Sequence, residues 1–197
     1  MFEGMGGTVS LLTDWVTQLG DLPAHARDDA MRIDLIRGLE KLKAAAAAAQ
    51  LHLMVDFAES QQQTNRARGV PAEHAGRGIA EQIGLARKIS PTTAARQLGL
   101  AYALTNQLPA TNTLLAQGEI SEWVATLVAT ETSHLTPDDR RTVDAHLAPH
   151  LPALSPRRAA ATARTLTIDI DPAGAVARAS HARTQRYVTS RPAPDTM

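Results

Sequence analysis

Apolar residues in this chain recur every three or four positions, the period of a helix buried along one face. Between Thr8 and Gly20, the residues Leu11, Leu12, Trp15, Val16 and Leu19 share one face, and Gly20 is expected to stop that helix. Asp21 to Arg27 contains Pro23 and reads as a turn. Asp28 or Asp29 then caps a long helix ending between Ser60 and Arg66. Its apolar positions are Ile33, Ile36, Leu39, Leu42, Ala46, Ala49, Leu53 and Phe57, at steps of 3, 3, 3, 4, 3, 4 and 4. The unbroken run Ala44 to Ala49 adds helix propensity. A helix this long forms the spine of a bundle or the seam of a dimer.

The stretch Gln61 to Gly78 is polar and holds Gly69, Pro71, Gly76 and Gly78, the marks of a loop or junction. After it one punctuation mark repeats: Ser90-Pro91, Thr136-Pro137, Ser155-Pro156 and Asp171-Pro172. In each, a side-chain oxygen is placed to accept an orphan N–H of a first turn. The proline after it gives up an N–H that had no partner there. Ser121 supplies one more cap. The spacing predicts helices over 77–88, 91–106, 109–117, 121–134, 137–148, 156–168 and 172–184. Short connections make neighbours antiparallel hairpins. Tyr187, Val188 and Thr189 then form a lone strand-like segment. The expected fold is all-α, a multi-helix bundle with one long N-terminal spine. Its parts are 1–27, a helix and turn; 28–184, the helical domain; and 185–197, a tail that reads as a chain cut at a boundary.

Composition narrows this picture. Of 197 residues 44% are hydrophobic but only 3% aromatic, so the core is built from Leu, Ile, Val and 36 Ala. Cysteine is absent, which excludes disulfides, thiolate zinc sites and cysteine nucleophiles. The N-terminus lacks a basic stretch followed by a continuous apolar run, so no signal peptide is read. The most apolar window, Leu39 to Val55, is interrupted by Glu40, Lys41, Lys43, Gln50 and His52 and is no membrane span. A cytoplasmic protein is expected.

Charge sums to zero but alternates in blocks: −4 over 1–60, +4 over 61–118, −4 over 119–154 and +4 over 155–197. Seventeen of the 20 basic residues are Arg, which suits bidentate contact with phosphate or carboxylate. Two uses are open. Acidic and basic helices can pair within the domain, or the basic blocks can form a nucleic-acid face. The candidates for such a face are Arg66, Arg68, Arg77, Arg87 and Lys88, with Arg178, Arg183 and Arg186.

Other chemistry finds little support. His146 and His150 stand at the spacing of two helical metal ligands, yet Pro149 intervenes and no third ligand is evident. Thr92 to Ile120 loosely resembles a helix-turn-helix with Gly99 at the turn, but no basic residue lies between Ala101 and Gly118. An ordinary hairpin is the expectation there. Asp169 and Asp171 straddle a cap, and no phosphate loop or catalytic triad can be composed. No catalytic, metal or cofactor residue is assigned.

Several stretches together resemble a known family. They are Ile36 to Lys43 with the alanine run to Gln50; Ala67 to Glu73; Gly78 to Pro91; Leu114 to Gly118 with Ile120 to Trp123; Glu131-Thr132 with Leu135; and Arg191 to Met197. In order and spacing they are similar to the actinobacterial 13E12 repeat family, domain of unknown function 222, over roughly residues 30–197. The resemblance implies a helical region that precedes an HNH nuclease module in a mobile-element setting. That module would hold the catalytic histidine and any divalent metal, and this chain carries none of it. The implied role is a non-catalytic accessory domain that positions nucleic acid or the nuclease module, with DNA as partner. Against it stands a structural module that dimerises through the 33–57 stripe, or a truncated copy without activity of its own.

Overall fold

A computed structural model describes residues 3–25 and 28–184. Among these described residues nine α-helices follow one another: α1 Glu3–His25, α2 Asp29–Ala67, α3 Ile79–Arg87, α4 Pro91–Asn106, α5 Pro109–Ala116, α6 Glu122–Glu131, α7 Pro137–Leu147, α8 Pro156–Ile170 and α9 Pro172–Thr184. Short 3₁₀ turns occupy Ala72–His74 and Ala148–Ala153. No strand occurs among the described residues, and the all-α expectation holds. The strand-like segment at Tyr187 to Thr189 and the 185–197 tail lie outside the described residues.

The predicted caps are mostly in place. Asp28, Ser90, Ser121 and Thr136 accept the N–H of Met31, Thr93, Val124 and Asp139 at 2.8, 3.2, 3.3 and 3.2 Å. Asp171 accepts from Gly174 at 2.8 Å. Ser155 makes no such bond, although α8 starts at Pro156 as expected. Gly20 does not stop α1, which runs through it to His25. A glycine costs a helix interior only about 1 kcal/mol, so it permits a stop without enforcing one.

α2 is 39 residues long, and α3, α4, α5 and α6 pack against it. Residues 28–43 include no buried position, and the first is Ala44. From there Ala44, Ala48, Leu51, Met54, Val55 and Ala58 face the core. Leu104 and Leu108 close that core from the α4 side, Leu115 and Val128 from α5 and α6, and Leu147 and Leu151 from α7 and the turn after it. Helices α3–α4 and α6–α8 form the most extensive packed pairs, and α9 packs on α8.

One glycine fits the α5–α6 turn against α2. Gly118 has φ +71°, and a Cβ there would lie 2.9 Å from the Lys41 Cα. Lys41 reaches on to Glu119 at 2.9 Å, tying turn to spine.

Two buried charged residues, Arg140 and Asp144, lie one turn apart on α7. Asp144 accepts the Ala110 N–H at 2.7 Å, the Thr111 N–H at 3.0 Å and the Thr111 hydroxyl at 2.6 Å. It thus caps α5 from another helix, because Leu108 at the N-cap offers no acceptor. Arg140 donates to the Thr132 hydroxyl at 3.1 Å, to the Ala129 carbonyl at 2.8 Å and to the Gln107 side-chain oxygen. Desolvation lowers its pKa from the ordinary guanidinium value.

Candidate functional site

The basic block 155–197 meets the acidic block 119–154 where Arg164 holds Glu131 through two bonds of 3.0 and 2.7 Å. Lys41 pairs with Glu119, but both lie in acidic blocks. The block 61–118 contributes to no such pair among the described residues.

The structure divides the proposed nucleic-acid residues. Arg66, Arg68 and Arg77 are exposed at the α2–α3 connection, with the Arg66 guanidinium near Gln62 at 3.4 Å. Arg87 is half-buried at the other end of α3, its guanidinium 3.4 Å from the Met54 sulfur. Met54 stands 12 residues before Arg66, about 18 Å back along α2 at 1.5 Å per residue. Lys88 is exposed beside Arg87 with φ +56°. Arg178 is engaged by Asp171 at 3.1 Å, and Arg183 is exposed on α9. Arg186 lies outside the described residues. Arg66, Arg68 and Arg77 are therefore exposed along one connection, and Arg87, Lys88, Arg178 and Arg183 lie on other parts of the fold.

Neither of the other candidate motifs assembles a site. His146 Nδ1 bonds the Thr142 carbonyl at 2.8 Å, and His150 falls in the 3₁₀ turn beyond α7. Among the described residues no three His, Asp or Glu side chains group as metal ligands. α4 passes straight through Gly99 to Asn106, so the helix-turn-helix likeness fails at its turn.

The most distinctive surface is the outer face of α2. The predicted stripe does not turn toward the domain's own core. Ile33, Ile36, Leu39, Leu42 and Leu53 are exposed at 55, 62, 36, 40 and 64% of their full area. Ala46 and Ala49 are exposed and Phe57 is half-buried. Adding half-buried Leu35 reveals a stricter order. Leu35, Leu39, Leu42, Ala46, Ala49 and Leu53 follow one another at steps of 4, 3, 4, 3 and 4. That is the alternation of the apolar seam of a coiled coil. At 100° per residue these six lie within one narrow sector, opposite Ala44, Leu51 and Ala58.

Apolar hollows flank this face. Leu53, Met54, Phe57, Ile83, Ala86 and Arg87 line a groove of about 420 Å³ between α2 and α3. Another lies beside Ala46, Ala47 and Gln50 under Trp123 of α6, itself 60% exposed. The α1 face of Leu11, Leu12, Trp15 and Val16 is exposed as well.

A family model covers residues 34–197, from the first turns of α2 onward. The chain belongs to the DUF222 family. This is a domain of unknown function, and the match bears out the resemblance seen in the sequence. No curated protein and no solved structure matches the chain.

Within the DUF222 region, sequence reasoning missed half-buried Leu35, exposed Trp123 and buried Ile83 as parts of the apolar surface around α2. Leu35 had a signal, since it extends the alternation of four and three. Trp123 and Ile83 had none, because they join α2 only through tertiary packing. No described helix of the DUF222 chain is long and apolar enough to cross a membrane.

Proposed function

We propose that this chain is a non-catalytic helical accessory domain whose work is assembly. Two copies pair through the outer face of α2 and hold the modules they carry in fixed relation. The exposed heptad from Leu35 to Leu53 supports this reading: a seam-patterned face costs free energy in water and recovers it against another helix. In the setting implied by the resemblance, the carried module is an HNH nuclease. Any divalent metal would belong to that module.

Sedimentation equilibrium over a wide concentration range tests the pairing. The chain is expected to shift from monomer to dimer mass, and Leu42→Asp to remain monomeric with unchanged helix content. A parent chain that stays monomeric throughout removes the reading.

A second reading is favoured by a separate observation. Arg66, Arg68 and Arg77 are exposed together without acidic partners, as phosphate contacts need to be. Duplex DNA binding is then expected to weaken steeply with salt. The triple alanine variant is expected to lose most of it. Equal affinity in parent and variant excludes this end of α2.

A further inference from the structure

The two halves of α2 are unlike, and the difference selects a geometry for the proposed seam. The N-terminal half, Asp29 to Lys43, has no residue buried in its own domain. Its Met31, Ile33 and Ile36 are exposed at 40, 55 and 62%. The C-terminal half carries the domain body and the apolar groove of Leu53, Phe57 and Ile83. We infer that the partner on this face is a second copy of the chain running antiparallel, with the twofold axis crossing the seam between Leu42 and Ala46, level with position 44. The inference rests on the pairing reading above and adds its orientation and register.

In that register every layer of the seam is complementary to itself. Leu35 meets Leu53 of the second copy, Leu39 meets Ala49, and Leu42 meets Ala46. Each layer holds at least one leucine, and the four central layers set leucine against alanine. Phe57 meets Met31 of the other copy. The uncovered half of each spine thereby fills the groove of its neighbour. A parallel pair would do the opposite. It would stack alanine on alanine at 46 and 49 and leucine on leucine at 39 and 42, which leaves a gap that close-packed interfaces avoid. It would also lay the uncovered halves on each other and leave both grooves open to water.

The flanks and dipoles agree. Gly38 and Ala45 border the seam on one side, where they let backbones approach. Lys43 borders the axis on the other, held by Glu40 at 2.7 Å, so the two symmetry-related lysines meet as neutralised pairs. Antiparallel helices also set opposite ends of their macrodipoles side by side. The twofold arrangement is closed, with the same patch used on both copies.

The chain has no cysteine, so single labelling sites are easily introduced. Ala30→Cys and Ser60→Cys lie at exposed positions near the two ends of the seam. Each is labelled with a nitroxide, and distances between copies are read by pulsed electron paramagnetic resonance, with mass measured on the same samples. From the helical rise, an antiparallel seam sets the two 30 positions about 42 Å apart and the two 60 positions about 48 Å apart. A mixture of the two labelled chains adds a short distance of about 10–20 Å between 30 and 60, near the spacing of packed helices. Short distances within both singly labelled samples would show a parallel seam and overturn the orientation while pairing stands. A dimer mass with neither pattern would place the contact on another face and overturn both. A monomer mass would remove the pairing itself.

Discussion

At the residue scale, the fold leans on polar side chains that cap elements they do not belong to. Asp144 supplies three hydrogen bonds to the start of α5, where the chain itself offers only Leu108. Removing it takes the acceptor from three donors, the two of Thr111 buried and that of Ala110 half-buried. Asp144→Ala is expected to cost roughly 2–4 kcal/mol, several times a typical surface change. Urea unfolding checks this: a loss below about 1 kcal/mol would mean that water replaces the carboxylate. Sequence pattern could not expose this role, because Asp144 and Thr111 are 33 residues apart and meet only after α5 and α7 pack.

A second residue-scale expectation concerns acid. Desolvation first, and then the Arg178 charge, hold the His134 pKa below its ordinary value of 6.5. The folded state thus binds that proton less readily than the unfolded chain. Its penalty is absent well above pH 6.5 and grows as pH falls through 6.5 toward the lowered folded value. Asp171 acts in the same direction at lower pH. The Gly174 N–H and Arg178 lower its pKa, so its stabilisation is present above the unfolded 3.8 and is lost as pH falls through the folded value. Proton NMR titration of His134 is expected to give a midpoint below 6.5, moving upward in Arg178→Ala. An unmoved midpoint would show that the arginine charge does not reach the ring.

At the element scale, two glycines with the same identity have opposite demands. Gly99 is exposed inside α4 with nothing near its missing side chain. Gly99→Ala is expected to raise stability by about 0.5–1 kcal/mol through the unfolded chain. Gly118 combines a left-handed backbone with the Lys41 backbone at 2.9 Å from a would-be Cβ. Gly118→Ala is expected to cost about 2 kcal/mol or more, since the α5–α6 turn must lift from α2. Paired thermal melts check both signs, and equal shifts would mean that the turn adapts.

Much of this element layout was legible before any coordinates. Proline after Ser, Thr or Asp fixes where a helix can start, and helices α4, α7, α8 and α9 begin at those prolines. The face of α2 was harder. Large apolar residues stand on both sides, and three of the six buried positions, Ala44, Ala48 and Ala58, are alanines. In an aromatic-poor core, alanine marks the side where helices come closest, yet alanine gives the weakest periodic signal. Whether a leucine stripe meets its own domain or a partner depends on what the other helices cover, and periodicity holds no record of that. The arginine cluster was legible only in part. Arg66, Arg68 and Arg77 are near in sequence on one exposed connection, while the Asp171 contact of Arg178 comes from tertiary geometry.

At the scale of the whole molecule, the proposed pairing and the proposed nucleic-acid contact make one joint prediction. In an antiparallel seam each basic end lies 22 residues from the axis, so the two Arg66 positions stand about 66 Å apart along the helices. A duplex advances 3.4 Å per base pair, so roughly 20 base pairs span both ends. A duplex of ~30 base pairs can engage the two ends at once, and the second contact becomes intramolecular. A duplex of ~10 base pairs reaches only one end. The parent chain is therefore expected to bind the longer duplex at least tenfold more tightly than Leu42→Asp does, and the shorter one equally well. Anisotropy titrations of both proteins on both duplexes, at one fixed salt concentration, decide it. A ratio near one on both duplexes would mean that the basic ends act singly even when the chains pair. A parallel seam would bring the two ends together, and the ratio would then already be high on the shorter duplex.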